Sequence, residues 1–140
     1  MRWGLDAQLL QLEITEGVFM QPRAAVASVN RLHLLGVSVA IDDFGTGFSS
    51  LSQIAHLPID ALKIDRSFVA HAEHDAGADG VVSAIVALAR RLGLRTVGEG
   101  VETERQRELL LRCGCERLQG YLYARPMPAH ELDAWLDGKA

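Results

Sequence analysis

Four carboxylates and one amine hold the chemical possibilities of this sequence. Glu13, Asp42 and Asp43 are hard oxygen donors of the kind that bind Mg²⁺ or Mn²⁺. Asp42 and Asp43 are neighbours, so on a regular strand they face opposite ways; at a strand's exit two such carboxylates can diverge toward two metals a few ångströms apart. Lys63 supplies a cation that can hold or polarise an attacking water and offset negative charge in a transition state. Glu99 can bind metal or take the water's proton. Together these roles fit metal-assisted hydrolysis of a phosphodiester. A divalent metal reverses the local sign, so an acidic protein can still take an anionic substrate. A barrel enzyme using Lys63 as a Schiff-base lysine would leave Asp42 and Asp43 without a role. The turn from Asp42 to Ser50 has two glycines and small hydroxyls. It can cradle phosphate through backbone N–H groups or serve only as a tight connection, and it is not a P-loop.

The elements that must position these residues alternate along the chain. Leu9 to Thr15 reads as a strand, and Pro22 opens a helix with Ala25, Val29, Leu32 and Leu35 on one face, stopped at Gly36. Val37 to Ile41 is a second strand, Leu51 to Ala55 a short helix ended by Pro58, and Ala61 to Ile64 a third strand. A polar loop from His71 to Ala78 leads to a helix capped by Asp79, with Val82, Ile85, Val86 and Ala89 as its buried stripe and Gly93 as its stop. Arg95 to Gly98 is a fourth strand. Thr103 and Gln106 form a capping box for a helix ending near Gly114. Leu118 to Leu122 is a fifth strand and Pro128 to Leu136 a last helix.

About five strand–helix units imply an α/β fold with parallel strands and right-handed crossovers, either a (β/α) barrel wall or a doubly wound sheet. Period-two alternation gives each strand an apolar face and a polar one: Leu10, Leu12 and Ile14 against Gln11, Glu13 and Thr15, and Leu62 and Ile64 against Ala61, Lys63 and Asp65. The ionisable residues gather toward strand C-termini, the end at which such folds bind ligands.

Composition narrows the classes. With 140 residues, 49% hydrophobic and 23% charged, the chain is globular and long enough for one core. A net charge of −4 argues against a DNA-binding surface. No run approaches the ~18 apolar residues of a membrane span. Two cysteines, Cys113 and Cys115, too close for an ordinary disulfide, point to packing thiols and a reducing, cytoplasmic setting. His71 and His74 read as solvated surface, and the charges from Glu104 to Arg112 as a solvated helix face.

Five segments in order, Leu12-Glu13-Ile14-Thr15-Glu16, Asp42-Asp43-Phe44-Gly45-Thr46-Gly47, Leu62-Lys63-Ile64-Asp65, Glu99-Gly100-Val101-Glu102 and Gln119-Gly120-Tyr121, together resemble the EAL domain family from about Leu5 to Met127. Lys63 follows Asp43 by 20 residues, and Gln119 follows Glu99 by 20. The resemblance implies a modified (β/α)₈ barrel that linearises cyclic di-GMP to pGpG with a two-metal site of Mg²⁺ or Mn²⁺. It implies that Glu13, Asp42 and Asp43 are metal ligands and that Lys63 holds the nucleophilic water. It implies that Glu99 binds metal or acts as base, that Gln119 lies near the water, that Glu16 steadies the loop after the second strand, and that Glu102 supports the site.

The sequence departs from that family at one point that matters. The tripeptide Glu-Ala-Leu, whose glutamate is a metal ligand, occurs nowhere in it, and the strand with the ligating asparagine is missing. A full barrel takes about 250 residues. The expectation is therefore a partial barrel, residues 1–140 being the C-terminal portion of an EAL domain. It would be impaired as a phosphodiesterase unless a missing N-terminal barrel half or a second chain completes it. The alternative is a non-catalytic remnant acting as a nucleotide-binding or dimerisation module.

Overall fold

Five short segments pair side by side, all parallel, in the order in which the chain makes them. The computed structural model describes residues 4–17, 22–45, 54–71 and 78–138. Its elements are β1 (Gln11–Thr15), α1 (Pro22–Leu34), β2 (Ser38–Phe44), β3 (Ala61–Ile64), α2 (Arg66–His71), α3 (Ala78–Arg91), β4 (Arg95–Gly98), α4 (Glu104–Cys113), β5 (Arg117–Leu118) and α5 (Ala129–Asp137). The sheet order is β1-β2-β3-β4-β5. A doubly wound sheet reverses its strand order at a switch point. This one never reverses, so of the two architectures open from spacing alone, the sheet is a barrel wall.

One face of the sheet carries the core. Ile41, Leu62, Ile64, Val82, Val101 and Leu110 are fully buried and belong to one continuous apolar cluster. The helix stripe expected from periodicity is present: Val82, Ile85, Val86 and Ala89 of α3 are all buried. The Thr103–Gln106 capping box opens α4, and Gly114 closes it at φ 85°. The other face is polar. Gln11, Glu13, Lys63, Val97, Arg117 and Gln119 surround a hollow of about 310 Å³.

Several boundaries differ from the sequence expectation, each for a local reason. β1 begins at Gln11 because Ala7–Leu9 forms a 3₁₀ turn, capped by Asp6 accepting from the Gln8 N–H at 3.1 Å. Leu10, just before this strand, and Leu12 on it, both expected to be covered, are 42% and 44% exposed. α1 ends at Leu34, so Leu35 leaves its buried stripe and is 65% exposed. The segment after β3 makes a helix, α2, and His71 is its last residue rather than the start of a loop. Its first turn is organised by Asp65, which accepts from the Ser67 N–H at 3.0 Å and from the Ser67 hydroxyl. α3 begins at Ala78, placing Asp79 inside the first turn, not at the cap.

β5 is only two residues long. Gln119 still donates to the Gly98 carbonyl at 2.9 Å, but Gly120 then crosses the Val101 backbone so closely that a Cβ there would lie 2.1 Å from the Val101 oxygen. The chain turns away, and the strand expected to reach Leu122 stops. α5 buries no residue fully. Most of the expected Leu51 to Ala55 helix, the Thr46 to Ser50 part of the glycine turn, and His74 lie outside the described residues. No helix of the described residues is long and apolar enough to cross a membrane.

β4 packs against α4 through a missing side chain. A Cβ on Gly98 would lie 2.7 Å from Leu110 Cδ1. Gly98→Ala is expected to destabilise the fold by about 1–3 kcal/mol through overpacking. Chemical denaturation of Gly98→Ala with Leu110→Ala should show less than the sum of the two single losses, because the second change removes the clash.

Candidate metal centre and active site

Strand register brings the expected residues to one mouth of the sheet. Glu13 lies beside Ala40, and Ala40 beside Ala61. Two strand spacings are about 10 Å, and the small side chains between them leave a path along which Lys63 and Glu13 can meet. Lys63 Nζ lies 2.6 Å from Glu13 Oε2, 2.9 Å from Asp42 Oδ1 and 2.7 Å from Glu99 Oε1. One ammonium, itself 5% exposed, thereby joins carboxylates from β1, β2 and the end of β4. Burial works against its charge, but the bonds from Glu13, Glu99 and Asp42 win, and its pKa stands well above the ordinary lysine value.

The second carboxylate of the Asp-Asp pair reaches the same place through a break in β2. The β2–β3 register shifts between Ile41 and Phe44, and Asp43 takes a left-handed φ of 53°, the only positive φ outside glycine among the described residues. On a flat strand alternation would separate the two side chains. Here Asp42, Asp43 and Glu99 each offer an oxygen, and the three lie within 4.8 Å of one another. Burial pushes the Asp43 carboxyl above its usual range, and the Asp42 and Asp65 charges push it further. Burial likewise raises Glu99, against the pull of Lys63. Glu13, Asp42, Asp43, Asp65 and Glu99 set five carboxylates against one ammonium. Such an excess of hard oxygen donors fits a divalent cation, with Asp42, Asp43 and Glu99 as the converging set.

The remaining sequence candidates border this centre. Glu16 is buried, and its Oε1 accepts from the Gly45 N–H at 2.9 Å, tying the end of β1 to the turn after β2. Its Oε2 has no hydrogen-bond partner among the described residues. Gly45 has φ 97°, and a Cβ there would meet the Phe68 ring at 2.9 Å. A groove of about 540 Å³ opens beside the carboxylates, with Asp43, Asp65, Glu99, Glu102 and Gln119 in its walls. The Glu102 N–H donates to Gln106 Oε1 at 2.7 Å, so the α4 capping box also holds the Glu102 backbone.

Asp65 and Arg66 line the groove without having been singled out as site residues. Alternation from Lys63 puts Asp65 on the same face, which is the signal that would have found it; Ser67 bonds keep its carboxyl low despite burial. Cys115 is buried and Cys113 partly so, both as free thiols.

Comparison with known proteins gives a consistent set of likenesses. The family model for the EAL domain matches residues 2–126. The bifunctional diguanylate cyclase/cyclic di-GMP phosphodiesterase MucR of Pseudomonas aeruginosa is 49% identical over 133 residues, 94% of this chain and 19% of that protein. A solved c-di-GMP complex of the PaMucR phosphodiesterase aligns with a TM-score of 0.89 at 49% identity, covering 94% of this chain and 53% of that one. A manganese/cy-diGMP complex of Klebsiella pneumoniae BlrP1 aligns at 0.79 with 31% identity, covering 88% and 32%. The chain thus spans about half of the solved MucR chain and about a fifth of the full relative.

Removing the ammonium leaves three gathered carboxylates without their shared counter-ion. Lys63→Met is expected to lower stability by about 3 kcal/mol at neutral pH in metal-free buffer. The folded pKa lies above the ordinary 10.5. The wild-type advantage should therefore be complete below pH 10.5 and shrink as pH rises past it. Denaturation midpoints of the two proteins across pH 7–11 measure this, and an equal gap at all pH values would contradict it.

Proposed function

This chain belongs to the EAL domain family, and from that premise we propose that it carries the catalytic half-site of a metal-dependent phosphodiesterase that linearises cyclic di-GMP to pGpG. The observation that bears most weight is the Lys63 ammonium held by Glu13, Asp42 and Glu99 next to the converging oxygens of Asp42, Asp43 and Glu99. A cluster built only for stability would not gather four carboxylates around one buried cation.

In this reading Glu13, Asp42 and Asp43 hold Mg²⁺ or Mn²⁺, and Glu99 adds a ligand or takes a proton. The metals, when bound, neutralise the phosphodiester and activate the attacking water. Lys63 then exchanges part of its carboxylate contacts for the water and keeps it in line. A Glu99 carboxyl raised by burial is better suited to accepting a proton near neutral pH than an exposed one. Gln119, in the groove wall, orients the same water. Glu16 keeps the turn after β2 in place through Gly45, and Glu102 supports the groove wall.

Residues 1–140 are read as the C-terminal portion of an EAL domain. Support comes from the sheet itself: among the described residues, five strands lie in barrel order, with β1 and β5 each paired on one side only. An eight-stranded barrel needs three more. An N-terminal barrel half would supply those strands, and a homodimer is the second way to cover the apolar edge formed by Leu9, Leu10 and Leu12. A cytoplasmic setting accords with the two free thiols.

The test is conversion of cyclic di-GMP to pGpG in Mn²⁺ or Mg²⁺, followed by chromatography. The 140-residue chain alone is expected to turn over at least 100-fold more slowly than when co-expressed with an N-terminal EAL half bearing Glu-Ala-Leu, as loss of a catalytic ligand commonly costs about 2.7 kcal/mol or more. Glu99→Ala should abolish the recovered activity. Full activity of the isolated chain would refute the impairment, and no activity after complementation would refute the enzyme reading in favour of a non-catalytic binding or dimerisation module.

A further inference from the structure

Among the described residues the strands carry three cations, Lys63, Arg95 and Arg117, and two of them are engaged. Lys63 holds Glu13, Asp42 and Glu99. Arg95, half-buried on β4, reaches past Ala61 and donates to the Ser38 hydroxyl on β2 at 3.2 Å. Arg117 on β5 is exposed. Its neighbour in register is Val97, which lies in turn beside Lys63, so these two cations stand two strands apart in one row. The Arg117 guanidinium makes no ion pair within 4.0 Å and no hydrogen bond among the described residues. Glu13 lines the same hollow of about 310 Å³, but Lys63 already holds it at 2.6 Å.

Completing the wall changes the surroundings of this side chain. Among the described residues β5 pairs with β4 alone, so a strand added at that end lies directly beside Arg117. The interior of a closed (β/α)₈ barrel is a packed core and not a pore. A guanidinium carried into such a core is costly unless a carboxylate meets it there. An exposed arginine on a sheet edge is ordinarily solvated, and an inward-pointing charge can also serve to deter edge-to-edge pairing. Arg117 differs in lining the inner hollow, where the carboxylate at hand is committed to another cation.

We infer that the inner face of β5 at Arg117 is a docking point for an acidic side chain of the N-terminal barrel half, whose carboxylate accepts from the Arg117 guanidinium as the wall closes. Charge selects this occupant. An apolar or basic residue at that place would leave the guanidinium buried and unpaired, whereas a carboxylate can accept two parallel N–H bonds from its planar fork. The metal centre has its own cation in Lys63, so Arg117 acts on assembly of the barrel and not on the reaction. The inference rests on the reading of residues 1–140 as part of an EAL barrel.

The experiment is co-expression of the 140-residue chain with an N-terminal EAL half bearing Glu-Ala-Leu, followed by the dissociation constant of the purified pair, for wild type, Arg117→Lys and Arg117→Glu. Arg117→Glu is expected to weaken assembly about 100-fold or more, because two carboxylates then face each other in the interior. Arg117→Lys keeps the charge but loses the fork, and should cost no more than about tenfold. Denaturation midpoints of the isolated chains should agree, since the guanidinium has no partner there to lose. A charge swap then finds the partner: against Arg117→Glu, changing each Asp and Glu of the N-terminal half to Arg in turn should restore assembly at one position. Arg117→Glu assembling as tightly as wild type would make the arginine a guard of the free edge and overturn the inference, as would the absence of any restoring swap. Failure of the wild-type chain to assemble would overturn the inference together with the partial-barrel reading beneath it.

Discussion

A buried ammonium that must be paired sets the terms for the rest of this molecule. Lys63 sits on β3 with almost no access to water, and a lone charge there would be heavily penalised. Its three carboxylate partners come from β1, β2 and the end of β4, so four strands must stand in register for the cation to be satisfied. Ala40 and Ala61 have to be small for the link to Glu13 to pass. The interaction is over-supplied with negative charge, a surplus that a bound divalent cation would offset. A fold seeking only stability would have been served as well by well-packed apolar residues in place of the whole cluster.

The chain accepts backbone cost to complete the set. A non-glycine residue in the left-handed region is disfavoured by about 1–2 kcal/mol, and Asp43 adopts it within a strand whose register breaks beside it. The reward is that two adjacent carboxylates converge instead of flanking the sheet. The next turn is then held from two sides, by Glu16 on the Gly45 N–H and by the Phe68 ring against Gly45. Strain, tether and close packing fall within a few residues of the converging carboxylate oxygens, where distortion aims the side chains.

Much of the scaffold was legible from patterns that depend on neighbours in sequence. The α3 stripe, the Thr103–Gln106 box, the glycine stops and strands β3 and β4 follow from periodicity and capping chemistry, which are local. The misreadings share another cause. Leu10, Leu12 and Leu35 have apolar side chains in the right rhythm, but rhythm does not say whether another element covers them. β5 stops early because Gly120 meets the Val101 backbone, a contact between segments nineteen positions apart. The α2 helix was hidden because its signal, Asp65 capping Ser67, is short and lies directly behind a strand.

The residue types, their order and their spacing determined the family, the alternation of parallel strands with helices and the candidate carboxylates and lysine, because each of these is encoded in short motifs. Tertiary structure decided which of those groups meet. Glu13 meets Lys63, and Asp42, Asp43 and Glu99 are the oxygens that converge. It also decided that Asp65, Arg66 and Tyr121 share the same groove. These are distances across strands and loops, set by register, a bulge and the close approaches that glycines permit, and no pattern along the chain records a distance through space.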